Sequence, residues 1–327
     1  MLDEVVINLR PNIVVAPRLR ITINGDKVFD DHLEKAKSIR HEIDVRDRLV
    51  VKILKSGKTK EVVDREEPQE VLVEEVLLNG LSQHPDKFGT FSQEGNTYKK
   101  DEIIQGNLLS LNGRWQLDVP VFRQEFKPEL DYEGTHRQRD RFADTGTACF
   151  GCSFTHGAFL EHDQTWPHYL GSDAKNYGIG GSNISAIVGT AHWYVQNFKC
   201  DRLVMLLPDV SRLQTNLWTF IPFRAKDPWA KEMTKDVVMF GEPSLLFSGY
   251  SQRMKELLAE INQKTELHIT SYQQDTYDLL EKSMNGICNL LPFYDLSQDY
   301  PKAIDSEHPG PEHNRVFADK IRHILGG

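Results

Sequence analysis

Apolar and polar residues alternate at Leu19-Arg20-Ile21-Thr22-Ile23, just before the turn Asn24-Gly25-Asp26, and the same period returns over 49–54 before Lys55-Ser56-Gly57-Lys58 and again over 59–63. A period of two marks strands with one buried face, and Asn-Gly between such runs marks a tight hairpin. Further short apolar runs lie at 71–78, 107–111 and 114–119, with Asn112-Gly113 predicting a two-residue turn between the last two. Residues 1–128 therefore read as an all-β sandwich of roughly seven to nine strands. Its strands pair locally, so a fragment cut near Asp131 is expected to fold alone. The stretch 32–41 breaks the alternation and predicts a helix or irregular chain. Trp115 falls on an alternating run, which suits a core residue better than a sugar platform.

Residues 129–145, "ELDYEGTHRQRDRFADT", follow neither period and read as a linker. Their basic cluster, Arg137, Arg139 and Arg141, is diluted by Asp140 and Asp144, so a solvated run fits better than a docking patch for an acidic partner. From 146 to 327 short apolar runs (147–151, 175–177, 202–207, 267–271, 289–291) alternate with helical patterns (165–170, 184–197, 251–263, 276–284, 312–325). That order predicts an α/β domain with a parallel sheet. The segment 217–248, rich in Phe, Trp and Pro, fits neither period and reads as an insertion.

Composition narrows the function classes. With 327 residues the chain has room for two domains, and 39% hydrophobic with 27% charged residues is an ordinary globular mixture. A formal net charge of -9 argues against nucleic acid or an anionic membrane as partner. No run approaches a membrane span, and Met1-Leu2-Asp3-Glu4 opens neither a basic nor an apolar leader, so the expectation is cytoplasmic synthesis without a signal peptide. The four cysteines (149, 152, 200, 288) are too few for a disulfide scaffold. Cys149 and Cys152 form a C-x-x-C without the second close pair of a structural zinc site, so neither a metal nor another cofactor is expected.

Three turns carry the candidate chemistry. In "ACFGCSFTHG", Ser153 follows the first α/β strand and precedes a helix, which suits either a capping serine or a nucleophile. After the second strand comes "NYGIGGSN": Gly178 and Gly180 fit the start of G-x-G-x-x-G, but Asn183 stands at its third glycine, and an oxyanion-binding amide is the alternative. Before the last helix, Asp305-Ser306-Glu307-His308-Pro309-Gly310 places a carboxylate three residues from an imidazole, the spacing that orients a base toward a hydroxyl.

In order and spacing the three turns resemble the SGNH (GDSL-type) hydrolase family, over about 148–325. The resemblance implies an α/β three-layer sandwich with a parallel sheet, here preceded by the all-β sandwich. It matches Ser153 to the nucleophile, His308 to the base, Asp305 to its orienting acid, and the amides of Ser153 and Gly181 to the oxyanion hole. Two departures stand out. Gly151-Cys152-Ser153 replaces the family's G-D-S, and Leu206-Leu207-Pro208-Asp209-Val210-Ser211-Arg212 carries no asparagine where the family's third turn reads G-x-N-D. Ser211 is the preferred replacement donor, with Asn216 and Asp209 as alternatives. The resulting expectation is a serine esterase deacylating (deacetylating) an acylated carbohydrate or another small ester. The alternative is a non-catalytic glycan-binding or virion-structural protein keeping the fold. Homo-oligomer and virion assembly both stay open.

Overall fold

The computed structural model describes residues 2–58, 69–93, 103–110, 112–128, 130, 140–210, 212–214, 219–220, 242–297, 300–306 and 308–326. The chain forms two compact units, Met1–Arg123 with Ser244–Gly249, and Gln124–Pro243 with Tyr250–Gly327.

In the first unit the strands are β1 Asp3–Ile13, β2 Arg18–Ile23, β3 Asp26–His32, β4 Lys37–Ile43, β5 Arg48–Ser56, β6 Gln69–Leu78, β7 Leu81–Ser82, β8 Thr90–Gln93, β9 Ile103–Gln105, β10 Leu108–Leu109 and β11 Gly113–Pro120. They form two antiparallel sheets, β10-β6-β1-β4 with β7 added to β6, and β3-β2-β5-β11-β8-β9. The alternation seen in the sequence sets the buried face. Register aligns Ile21 with Ile53, Ile53 with Trp115 and Trp115 with Phe91 across four strands, and all four are buried. Each contributes roughly 2 kcal/mol of apolar burial. Trp115 satisfies its one polar atom by donating Nε1–H to Gly106 O at 2.8 Å. Asn24 (φ 48°) and Gly25 (φ 98°) make the hairpin turn that their residue types predict.

Two expectations are corrected here. The stretch 32–41 is neither helical nor mainly irregular: β3 ends at His32 and β4 begins at Lys37. As an edge strand on β1, β4 buries only Ile39, and its charged residues mask the period. Nor do 107–111 and 114–119 form a hairpin, since β10 pairs with β6 while β11 lies between β5 and β8. Asn112 instead ties into the turn after β5, accepting from Lys58 N at 2.9 Å and donating to Lys58 O at 3.0 Å. The strand expected over 59–63 lies outside the described residues.

The second unit is built on β12 Thr145–Gly151, β13 Ala174–Asn176, β14 Cys200–Leu207, a separate antiparallel pair β15 Leu213–Gln214 and β16 Thr219–Phe220, then β17 Glu266–Ser271 and β18 Asn289–Leu290. The main sheet is parallel, in the order β13-β12-β14-β17-β18. Ala148–Gly151 of β12 and Leu203–Leu207 of β14 are buried continuously, as strands covered on both faces must be. From β12 the chain steps to β13 on one side, then crosses to β14 on the other. That reversal falls at the carboxyl ends of β12 and β14, the position at which open α/β sheets bind ligands. The helix expected over 251–263 begins earlier, spanning Pro243–Asn262. Ser248 and Gly249 disguise its start, yet a Cβ at Gly249 would stand 2.3 Å from Phe122 O, so only glycine fits there.

Candidate active site

Ser153 opens a single helical turn, Ser153–His156, directly after β12, with Cys152 at the N-cap. The glycines on each side of this turn have steric causes. A Cβ at Gly151 would lie 2.0 Å from Thr155 Oγ1 and 2.8 Å from Leu206 O, and one at Gly178 would lie 2.3 Å from His156 N. The glycine-rich turn after β13 is thereby pressed against the serine turn and bonded to it. Asn176 Nδ2 donates to Thr155 O at 2.8 Å, His156 Nδ1 donates to Gly178 O at 3.1 Å, and Gly178 N donates to Asn176 Oδ1 at 3.0 Å. Gly181 is exposed at the tip with φ 83°. Asn183 caps helix Ile184–Asn197, accepting from Ala186 N at 2.9 Å, which explains an asparagine at the position where a dinucleotide loop needs glycine.

At the other end of the chain Asp305 and His308 form a closed unit. His308 Nδ1 donates to Asp305 Oδ2, and the backbone His308 N–H donates to Asp305 Oδ1 at 3.1 Å. Both carboxylate oxygens are used by one residue, which fixes the ring and leaves Nε2 with its lone pair. Ala303 N to His308 O at 3.0 Å and the Lys302–Pro309 bridge close the loop around the pair. The imidazole packs edge-on against Phe154, with centroids 5.4 Å apart, and beside exposed Phe159 at 5.8 Å. The base therefore sits against the residue that follows Ser153. The Ser153 hydroxyl itself is directed at Cys152 Sγ, 4.0 Å away, and among the described residues no hydrogen bond joins it to His308.

Asp209 is half-buried after β14, whereas Ser211 and Asn216 lie outside the described residues. Arg212 N donates to Asp209 O at 3.1 Å, turning the chain back. Cys152 Sγ also contacts Tyr272 OH at 3.4 Å, and the Tyr272 ring stacks on Phe154 at 4.1 Å. Burial first, then the adjoining Cys152, push the Tyr272 phenol well above its usual range. Tyr272 directly follows β17, at the carboxyl end of the sheet, and that position is the signal that could have pointed to it.

Cys149 and Cys152 are both buried, and burial raises the Cys149 thiol well above its ordinary value, which disfavours thiolate chemistry there. Among the described residues no group of three His, Cys, Asp or Glu side chains is placed to hold a metal ion.

No family model matches the chain, and no curated protein does. Among solved structures it has a likeness to a carbohydrate esterase family 2 enzyme with a carbohydrate binding domain from Corynascus thermopiles (Myceliophthora fergusii), at 10% identity and TM-score 0.37 over 99% of this chain and 92% of that one. An acetyl xylan esterase from the rumen bacterium Butyrivibrio proteoclasticus gives 11% identity and TM-score 0.33 over 99% and 88%. A carbohydrate binding module in complex with galactobiose gives 10% identity and TM-score 0.26, over 36% of this chain and 99% of that one. Likenesses of this size carry no weight for the chemistry.

Proposed function

We propose that the second unit is a serine esterase of the SGNH type, acting on an acylated carbohydrate or a comparable small ester through an acyl-enzyme on Ser153. The observation that carries the reading is the Asp305–His308 pair, whose imidazole packs on Phe154, the residue next to Ser153. In this mechanism a change of the Ser153 rotamer turns its hydroxyl from Cys152 to His308 Nε2. As Oγ attacks the ester carbonyl, Nε2 takes its proton and Asp305 stabilises the imidazolium. The amides of Ser153 and Gly181 receive the oxyanion. Collapse returns the proton to the departing alcohol, and water then releases the acid by the reverse sequence of proton transfers. Unliganded sites often hold such hydrogen bonds long or open, so the missing Ser153–His308 bond is compatible with activity.

That same missing bond favours a second reading, a non-catalytic glycan-binding or virion-structural protein that keeps the fold with an unused site. A fluorophosphonate probe followed by intact mass separates the two. The expected result is one adduct on the parent, none on Ser153→Ala, and labelling slowed by about 10⁴ in Asp305→Asn, where the ring loses its orienting charge. A parent that takes up no probe and turns over no acetyl ester hands the assignment to the binding reading.

A further inference from the structure

We propose that Phe159 is a specificity residue of this site, its ring receiving the alcohol part of the ester and selecting an alcohol that is itself a ring with an apolar face, as a pyranose is. The inference rests on the esterase reading and deepens it by assigning a residue to the alcohol side of the substrate. It starts from a row of rings. Tyr272 stacks on Phe154 with centroids 4.1 Å apart, Phe154 meets the His308 imidazole edge-on at 5.4 Å, and Phe159 follows at 5.8 Å from that imidazole. Exposure grows along the row: Tyr272 is buried, Phe154 and His308 are half-buried, and Phe159 is 63% exposed. An apolar ring is thus held open to solvent directly beside the base.

The backbone is bent to hold it there. Leu160 N donates to Gly157 O at 3.1 Å, closing a four-residue turn whose third residue is Phe159, at φ 62°. A positive φ at that position calls for glycine or asparagine, because a Cβ crowds the carbonyl oxygen there. Phenylalanine is a bulky residue for such a backbone, and with its ring mostly in water, burial offsets little of the strain. Strain of this kind beside a catalytic group points to function more than to packing. The reaction says what the ring meets. His308 Nε2 hands its proton to the departing alcohol oxygen, which brings that oxygen within hydrogen-bond reach of the imidazole. The skeleton attached to the oxygen then lies against the neighbours of His308, and of the two rings beside the imidazole Phe159 is the one open to solvent. An aromatic ring carries a negative face that attracts C–H groups, and laying the C–H face of a sugar ring on it removes apolar surface of both from water.

The test uses the full chain and two acetate esters, ethyl acetate and a singly acetylated methyl glucopyranoside, which share the acyl group and differ in the alcohol. The parent should favour the pyranoside ester in kcat/KM. Phe159→Ala should cut that preference about tenfold, chiefly through KM, because a stack made equally in the ground state and the transition state is uniform binding. Phe159→Tyr keeps the ring and should keep the preference. Phe159→Gly should lose the preference yet melt no lower than the parent, since glycine takes φ 62° without strain. Comparing the two esters cancels any loss that a disturbed turn imposes on both. Should Phe159→Ala fail to fold, Phe159→Gly decides alone. A parent indifferent to the alcohol, equal losses on the two esters, or a Phe159→Gly protein that melts well below the parent overturns the inference and leaves the esterase reading in place. A parent without Ser153-dependent turnover of either ester overturns both.

Discussion

Lys55 sits where the period of β5 demands an apolar residue. Leu49, Val51 and Ile53 all point inward, and Lys55, two residues further along, is fully buried with them. Burial, with a smaller push from Lys58, lowers its amine from the ordinary 10.5 to about 8, against the opposing pull of Glu70. The sign of the linkage follows. Between pH 8 and 10.5 the unfolded chain holds a proton that the folded chain has given up, so stability rises with pH through that window. Below pH 8 the full penalty applies. Relative to the parent, Lys55→Met should therefore lose ground as pH rises from 7 to 10, because only the parent gains stability over that window. Urea midpoints at both pH values check this, and a difference independent of pH would show that titration is not its cause.

At the scale of elements, legibility in the sequence followed local repetition. The strands at 202–207 and 267–271, the helix Ile184–Asn197 and the hairpin at Asn24-Gly25 repeat one period long enough to be read, and the structure keeps them within a few residues. Edge strand β4 and the start of helix Pro243–Asn262 were hidden because tertiary packing, not periodicity, decides them. The Asp305–His308 pairing was readable because both partners lie in one turn. The contact of Tyr272 with Cys152 was not, since it depends on which strands become neighbours. The contact between the serine and glycine turns yields a prediction at this scale. In Gly178→Ala the new methyl meets backbone on His156 and Thr155, which no rotamer change relieves, so the turn carrying Ser153 must shift. We expect a stability loss of about 1–3 kcal/mol and a larger fractional loss of esterase rate, measured by chemical denaturation and by kcat. An unchanged kcat in a destabilised Gly178→Ala protein would mean that the serine turn is positioned by other contacts.

The division of the whole chain into units differs from its division by sequence order. Residues 244–249, more than a hundred positions past Arg123, belong to the first unit. They serve a buried polar cluster there. Asp3, 1% exposed, accepts from Arg123 NH1 at 3.2 Å, Asn79 Nδ2 at 2.9 Å and Val45 N at 3.1 Å. Asn79 Nδ2 also donates to Ser248 O at 3.1 Å, Arg123 to Gly249 O, and Ser244 Oγ to Ser82 O at 3.1 Å. Leu245, Leu246 and Phe247 on the same segment are buried. Local strand pairing predicted that residues 1–131 fold alone, but that fragment lacks the carbonyls that Asn79 and Arg123 use. An unsatisfied buried donor such as Asn79 Nδ2 costs about 1–3 kcal/mol against a typical domain stability of about 5–15 kcal/mol, whereas water can reach Arg123, whose side chain is 39% exposed. We therefore expect residues 1–131 to melt broadly and bind a hydrophobic dye, and the same fragment carrying residues 243–250 on a flexible glycine-serine linker to melt cooperatively at a higher temperature. Asn79→Ala and Arg123→Met should erase most of the benefit of the added segment, because the groups that recognise its carbonyls are gone. A sharp melt of the short fragment that the added residues leave unmoved would show that the two sheets complete their own core and that the segment only rests on it.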